Sequence, residues 1–234
     1  MISPFQRFWT LLVAVVVLGT GTLSVAAAEP GTLSLEQLRS QSRQLAERPR
    51  RIIMNNDGCD VLYYPKSETL TPATFLDKRT TALAGTHVGT IAYCTISAGF
   101  SNFTHNTKIG TILTRQGADY GLVPDRRNGT QEMIDTGTDC LQAVVDFGHQ
   151  HGMEVFWSMR MNDTHDAAHH PDKPYFLFPP LKQEHPEWLV GNPIDRTPYG
   201  RWSSVDYAVP EIRDLAFRYL EEVCDNYDVD GVEL

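Results

Sequence analysis

The stretch "YDVDGVEL" over residues 227–234 carries one acid, Glu233, inside a short apolar run. Side chains alternate along a strand, so if Val232 and Leu234 face packed helices, Gly231 and Glu233 face the other way. A carboxylate so placed does acid–base or ligand hydrogen-bonding work, or it is a buried acid paired with an arginine of a neighbouring strand. Burying it unpaired costs too much for it to be idle. The run "EVFWSM" at 154–159 supplies such a partner. With Val155, Trp157 and Met159 packed, Phe156, Ser158, Arg160 and Asn162 share the side of Glu233, and Arg160 comes within reach of it. That pair would hold Glu233 ionised, which suits a base or nucleophile and not a general acid. The same parity in "RIIMNND" turns Asn55 and Asp57 to this side, although Asp57 serves equally well to close the turn "NDG".

A second group of chemistry-bearing residues fills "NDTHDAAHHPD", residues 162–172. His165 and His169, four apart, can share a helical face as metal ligands; the other reading makes them solvent-exposed or ligand-contacting loop residues. Trp188, Tyr199, Trp202 and Tyr207 follow in the same loop and either stack on a ligand or pack the loop down. No Gly-x-Ser-x-Gly elbow supports a serine hydrolase, and no Gly-rich phosphate loop follows a strand.

These residues need elements to hold them. Ser34-Leu35-Glu36-Gln37 has the capping-box pattern and opens a polar helix to Arg48, ended by Pro49. Strands are predicted over 51–55, 88–96, 154–159 and 228–234, and helices over 72–84, 133–151 and 209–227. Thr71 and Pro72 start the first of these helices, and Gly152 ends the second. Strands apolar on both faces, alternating with helices, mean a parallel sheet under helices. Long loops follow the strands (97–132 and 162–208), whereas the helix-to-strand turns "HGM" and "DVDG" are tight. That asymmetry is the shape of a (β/α)8 TIM-type barrel with its site at the carboxyl edge. Four strands make about the first four β/α units, so the reading is of a chain apparently truncated at Leu234, incomplete, inactive and poorly soluble alone.

Arg7, the apolar run 8–18 and Ala26-Ala27-Ala28 read as a signal peptide over 1–28, too short to span a bilayer, so export to periplasm or exterior is expected. Residues 29–50 form a lead-in and 51–234 the barrel half. Losing Arg7 takes the formal charge from −9 to −10. This acidity argues against nucleic acid or an anionic membrane as partner, since binding phosphate needs clustered Lys and Arg. Cys59, Cys94, Cys140 and Cys224 allow three disulfide pairings, but their places in strands and helices favour thiols acting as small apolar residues.

"RRIIMNNDGCD", "HGMEVFWSMRMND", "HPEWLVG" and "VDYAVPEIRDLAFRYLEEVCDNYDVDGVEL" together resemble the secreted bacterial glycosyl hydrolase-like proteins built on a (β/α)8 barrel, over residues 50–234. The resemblance implies cleaving or binding a poly- or oligosaccharide, without a cofactor. The family's acid after the fourth strand would fall at position 235. Glycoside hydrolysis uses two carboxyl groups, of which Glu233 is the catalytic candidate here; Asn55, Asp57, Arg160, Asn162, His165 and Trp202 are the candidate substrate contacts. A non-catalytic glycan-binding barrel and a metal-dependent hydrolase using the His/Asp loop stand as alternatives.

Overall fold

The computed structural model of the chain describes residues 33–96, 99–113, 123–194, 197 and 200–234. Residues 1–28, expected to be a signal peptide, and Tyr199 lie outside the described residues. Residues Met1–Arg48 and Pro49–Leu234 form two separate units. In the first, α1 (Leu35–Ala46) has the expected capping box: Gln37 N donates to Ser34 Oγ at 3.2 Å and Ser34 N to Gln37 Oε1 at 2.8 Å. All of its residues are exposed.

In the second unit the four expected strands form one parallel sheet: β1 (Ile53–Asn56), β3 (Thr90–Cys94), β7 (Glu154–Ser158) and β8 (Gly231–Glu233), side by side in that order. Their spatial order follows chain order without reversal. A doubly wound sheet reverses and so gains helices on both faces; a singly wound one directs its connections to one face.

The packed face shows this. Ile91, Tyr93, Val155 and Trp157 are fully buried, together with Val144 of α4 (Cys140–Gln150) and Ile212 and Val223 of α6 (Pro210–Asn226). Gly148 lets α4 close onto the sheet, since a Cβ there would lie 2.2 Å from a Val155 methyl. The opposite face is much less covered. Register aligns Asn55, Ala92, Phe156 and Gly231 in one row, with Cys94, Ser158 and Glu233 in the next.

Three helix boundaries differ from expectation. The helix expected over 72–84 is α2 (Pro72–Leu76) followed by turns and a 3-10 segment at Thr81–Leu83. Arg79 reaches back to Asp57 and Asp60, at 2.8 and 2.6 Å, and tethers this segment to the turn after β1. The helix expected over 133–151 is two, α3 (Thr130–Asp135) and α4. Gly137 at φ +90° breaks it, and Asp139 restarts it by accepting from Gln142 N at 2.9 Å. The last expected helix, 209–227, is α6, one residue shorter at each end.

The loops after the strands carry small ribbons. β2 (Tyr64–Pro65) pairs antiparallel with β6 (Arg126–Arg127), and β4 (Asn102–Phe103) pairs parallel with β5 (Thr111–Ile112). The loop between β7 and α6 contains α5 (Pro180–Glu184) and short 3-10 turns at His165–Ala168 and Pro186–Trp188. The four cysteines are thiols. Among the described residues no helix is long and apolar enough to cross a membrane.

Candidate functional site

The two outer strands of the sheet bring their acid and amide together. Asn55 Nδ2, on β1, donates to Glu233 Oε2, on β8, at 3.5 Å. Two strands stand between them, so the side chains meet only because the sheet curls toward its less covered face. Between them on that face the inner strands carry Ala92, Phe156 and Ser158. Both Asn55 and Glu233 are exposed, so Glu233 is not the buried acid that one sequence reading described.

The pairing of Glu233 with Arg160 does not form. Arg160 Nη1 donates instead to Asp163 Oδ2 at 3.1 Å. Asp163 is only three residues on and its side chain is 1% exposed, so the local pair closes a shorter loop in drier surroundings. Arg160 stays tied to β8 through the backbone, since its neighbour Met159 donates N–H to the Glu233 carbonyl at 2.8 Å.

Asp163 is the organiser of this corner, although nothing in its spacing separates it from the other loop acids. It also accepts from His165 N and His165 Nδ1, both at 2.9 Å. A cleft of about 560 Å³ opens here, lined by Arg160, Asn162, Asp163, Thr164, His165, Ala167, Ala168 and Arg201. Three of the expected contacts, Arg160, Asn162 and His165, therefore share one concavity. Arg201 lines it too; nothing in the sequence marked it.

Other expected residues have different work. Asp57 accepts from Cys59 N at 3.3 Å and pairs with Arg79, closing the turn after β1. Burial pushes the Asp57 carboxyl up, but the Cys59 amide and the Arg79 charge outweigh it and hold it below its usual value. Gly58 in that turn has φ +71°, and a Cβ there would overlap the Cys94 carbonyl oxygen at 1.8 Å. Asn162 lines the cleft with its side-chain amide engaged: Oδ1 accepts from Val205 N at 2.8 Å and Nδ2 donates to Val205 O at 3.0 Å. Trp202 donates Nε1–H to Ala167 O at 3.0 Å and packs near Phe178. Tyr207 donates to Met161 O at 2.6 Å, and Trp188 stacks on His185. These three aromatics fasten the loop to itself.

His165 and His169 do not share a helical face. His165 begins a 3-10 turn and bonds Asp163, whereas His169 stacks on Phe178 at 3.9 Å and accepts from Tyr175 N at 3.1 Å. Among the described residues no three His, Cys, Asp or Glu gather as metal ligands.

Beside the cleft, Asp166 is fully buried with Lys182 Nζ at 2.5 Å and Ser203 Oγ at 2.6 Å. Burial raises the Asp166 carboxyl to about 6 although Lys182 opposes the rise, and burial pulls Lys182 down. This trio joins three separate parts of the long loop, at residues 166, 182 and 203, and so fixes the cleft wall.

No protein-family model matches the sequence, and no curated protein matches it. The fold is similar to the α-L-fucosidase isoenzyme 2 from Paenibacillus thiaminolyticus (TM-score 0.44, 15% identity), over 79% of this chain and 23% of that one. It is also similar to the GH36 α-galactosidase AgaA from Geobacillus stearothermophilus (0.42, 15%), over 80% and 21%. A third similar structure is the maltogenic α-amylase AmyB from Thermotoga neapolitana (0.40, 17%), over 77% and 38%. The chain thus spans under two fifths of each of these chains.

Proposed function

We propose that this chain is an exported, glycoside hydrolase-like protein whose four β/α units belong to a (β/α)8 barrel. On this reading it acts on a poly- or oligosaccharide at the carboxyl edge of its sheet. The observation that carries the reading is the convergence of Asn55 and Glu233 across the less covered face of a singly wound parallel sheet. In a barrel that face is the interior, and the carboxyl edge is where ligands enter.

The groups there suit a polyhydroxylated ligand. Glu233 and Asp57 accept hydrogen bonds from hydroxyls; Asn55, Arg160, His165 and Arg201 donate them. Glu233 takes the acid–base or nucleophilic role, because it is exposed on that face and its one side-chain contact is to the neutral Asn55 amide. Asp57 is held below its usual value and so does not serve as a general acid, and Asp163 is paired with Arg160 inside the wall. That same ion pairing favours a second reading, a non-catalytic glycan-binding barrel, because of Asp57, Asp163 and Glu233 only Glu233 is not tied to a cation.

A panel of nitrophenyl α- and β-glycosides separates the two. In a barrel completed to eight β/α units, the hydrolase reading expects turnover of at least one member and a loss of about 100-fold or more in kcat for Glu233→Gln, on the scale of removing general acid–base help. Saccharide binding without turnover by the unsubstituted protein selects the second reading, and absence of both overturns the proposal.

A further inference from the structure

The cleft beside β7 differs in charge from the chain around it. The protein carries a formal net charge of −9, yet the cleft is lined by two guanidinium groups, Arg160 and Arg201, and one imidazole, against the single acid Asp163. Asp163 is spent within the wall: its oxygens are taken by Arg160, by His165 N and by His165 Nδ1. It is also 1% exposed, so it presents almost no negative surface to a ligand, whereas Arg160 and His165 are 33% and 65% exposed. Nδ1 being engaged, any contact of the His165 ring with a ligand is through Nε2. Arg201 stands on the same cleft and is exposed.

We infer that this cleft binds an acidic sugar residue, one bearing a carboxylate or a sulfate ester, as the charged unit of the saccharide; this rests on the carbohydrate reading above. A planar guanidinium matches either anion with two parallel hydrogen bonds. Asp163 supports the match in two ways: it fixes Arg160 and His165 in place before a ligand arrives, and it does so from inside the wall. A neutral sugar would leave the Arg201 charge unmatched, whereas an anion satisfies it. Asn162, locked to Val205, and Thr164 complete the wall with polar atoms fit for hydroxyls. The His165–Ala168 turn holds one side of the cleft, and the buried Asp166–Lys182–Ser203 trio holds that turn.

Calorimetric titration of the full chain with an oligogalacturonide, a sulfated galactan oligosaccharide and a neutral galacto-oligosaccharide of matched length tests this. Either acidic ligand is expected to bind at least about tenfold tighter than the neutral one, the weaker of the two acids identifying the disfavoured anion. Arg201→Gln should remove most of that preference and Arg201→Lys restore part of it; because Arg201 is exposed, neither substitution threatens folding. The preference should also shrink at high salt. Equal binding of acidic and neutral sugars, unchanged by Arg201→Gln, overturns the acidic-sugar inference and leaves the carbohydrate reading standing. Inorganic sulfate displacing the acidic sugars while the neutral sugar fails to bind at any concentration overturns both.

Discussion

The two edges of the parallel sheet are built from the same residue types and treat them in opposite ways. At the amino edge Glu154 is held by Arg50 at 2.8 Å and accepts from Thr90 Oγ1 at 3.3 Å. Asp230 accepts from Val155 N at 2.8 Å and lies 2.9 Å from His149 Nε2. Both acids close tight connections, and Arg50 also lies over the Phe156 ring at 4.8 Å. At the carboxyl edge, Glu233 has one long contact to a neutral amide, and Arg160, His165 and Arg201 line an open cleft. Glu154 and Asp230 are tied into the strands at one edge, whereas Glu233 at the other is presented to solvent. Such a division assigns stability to the amino edge and ligand work to the carboxyl edge.

The largest effect expected concerns how the ligand edge is held. Lys182→Met leaves Asp166 buried without its cation and should cost about 3–5 kcal/mol in urea unfolding, the usual result of breaking a buried pair. A change under about 1 kcal/mol would mean that the long loop does not depend on this trio. Next, Asp230→Ala removes the acceptor for Val155 N and should lower stability by about 1–2 kcal/mol while saccharide affinity stays the same. A matching loss of affinity would erase the distinction between the edges.

The pH dependence comes from a third place, where α6 meets residues 105–109. Glu222 accepts from Thr107 Oγ1 at 2.6 Å and from the Lys108 and Ile109 amides, with His105 3.9 Å away. Burial raises its carboxyl, but His105, Thr107 and the Lys108 amide outweigh that and hold it at about 2. Its folded value lies below the unfolded one, so its contribution is present above pH 4.5 and is lost as pH falls toward 2. Unfolding midpoints measured across that window should fall, and Glu222→Gln should flatten the curve. The smallest stability change belongs to Glu233→Gln, within about 0.5 kcal/mol in urea unfolding, as for an exposed site. A large loss there would make Glu233 a staple like Glu154.

Much of this was legible in the sequence where periodicity or local chemistry is strong. The four strands, the face shared by Asn55, Phe156, Ser158 and Glu233, the Ser34 capping box and α6 follow from alternation, caps and helical spacing. The break at Gly137 was hidden because apolar spacing runs through it, while the decisive φ and the Asp139 cap are single-residue events. Partners distant in sequence were not legible. Nothing in the spacing of Asp166, Lys182 and Ser203 says that they meet, nor that Arg201 joins Arg160 on one cleft. Arg160 went to Asp163 and not to Glu233 because a buried acid three residues away competes better than an exposed one on the next strand.

Amide chemical-shift mapping tests the contrast between the edges most directly. The 15N-labelled chain would be titrated with the oligogalacturonide and with the neutral galacto-oligosaccharide. The account predicts shifts confined to the carboxyl edge, at residues 55–57, 158–165 and 201–203 and at Glu233, with Glu154 and Asp230 unmoved. Shifts centred on the amino edge, or none with either saccharide, would contradict it.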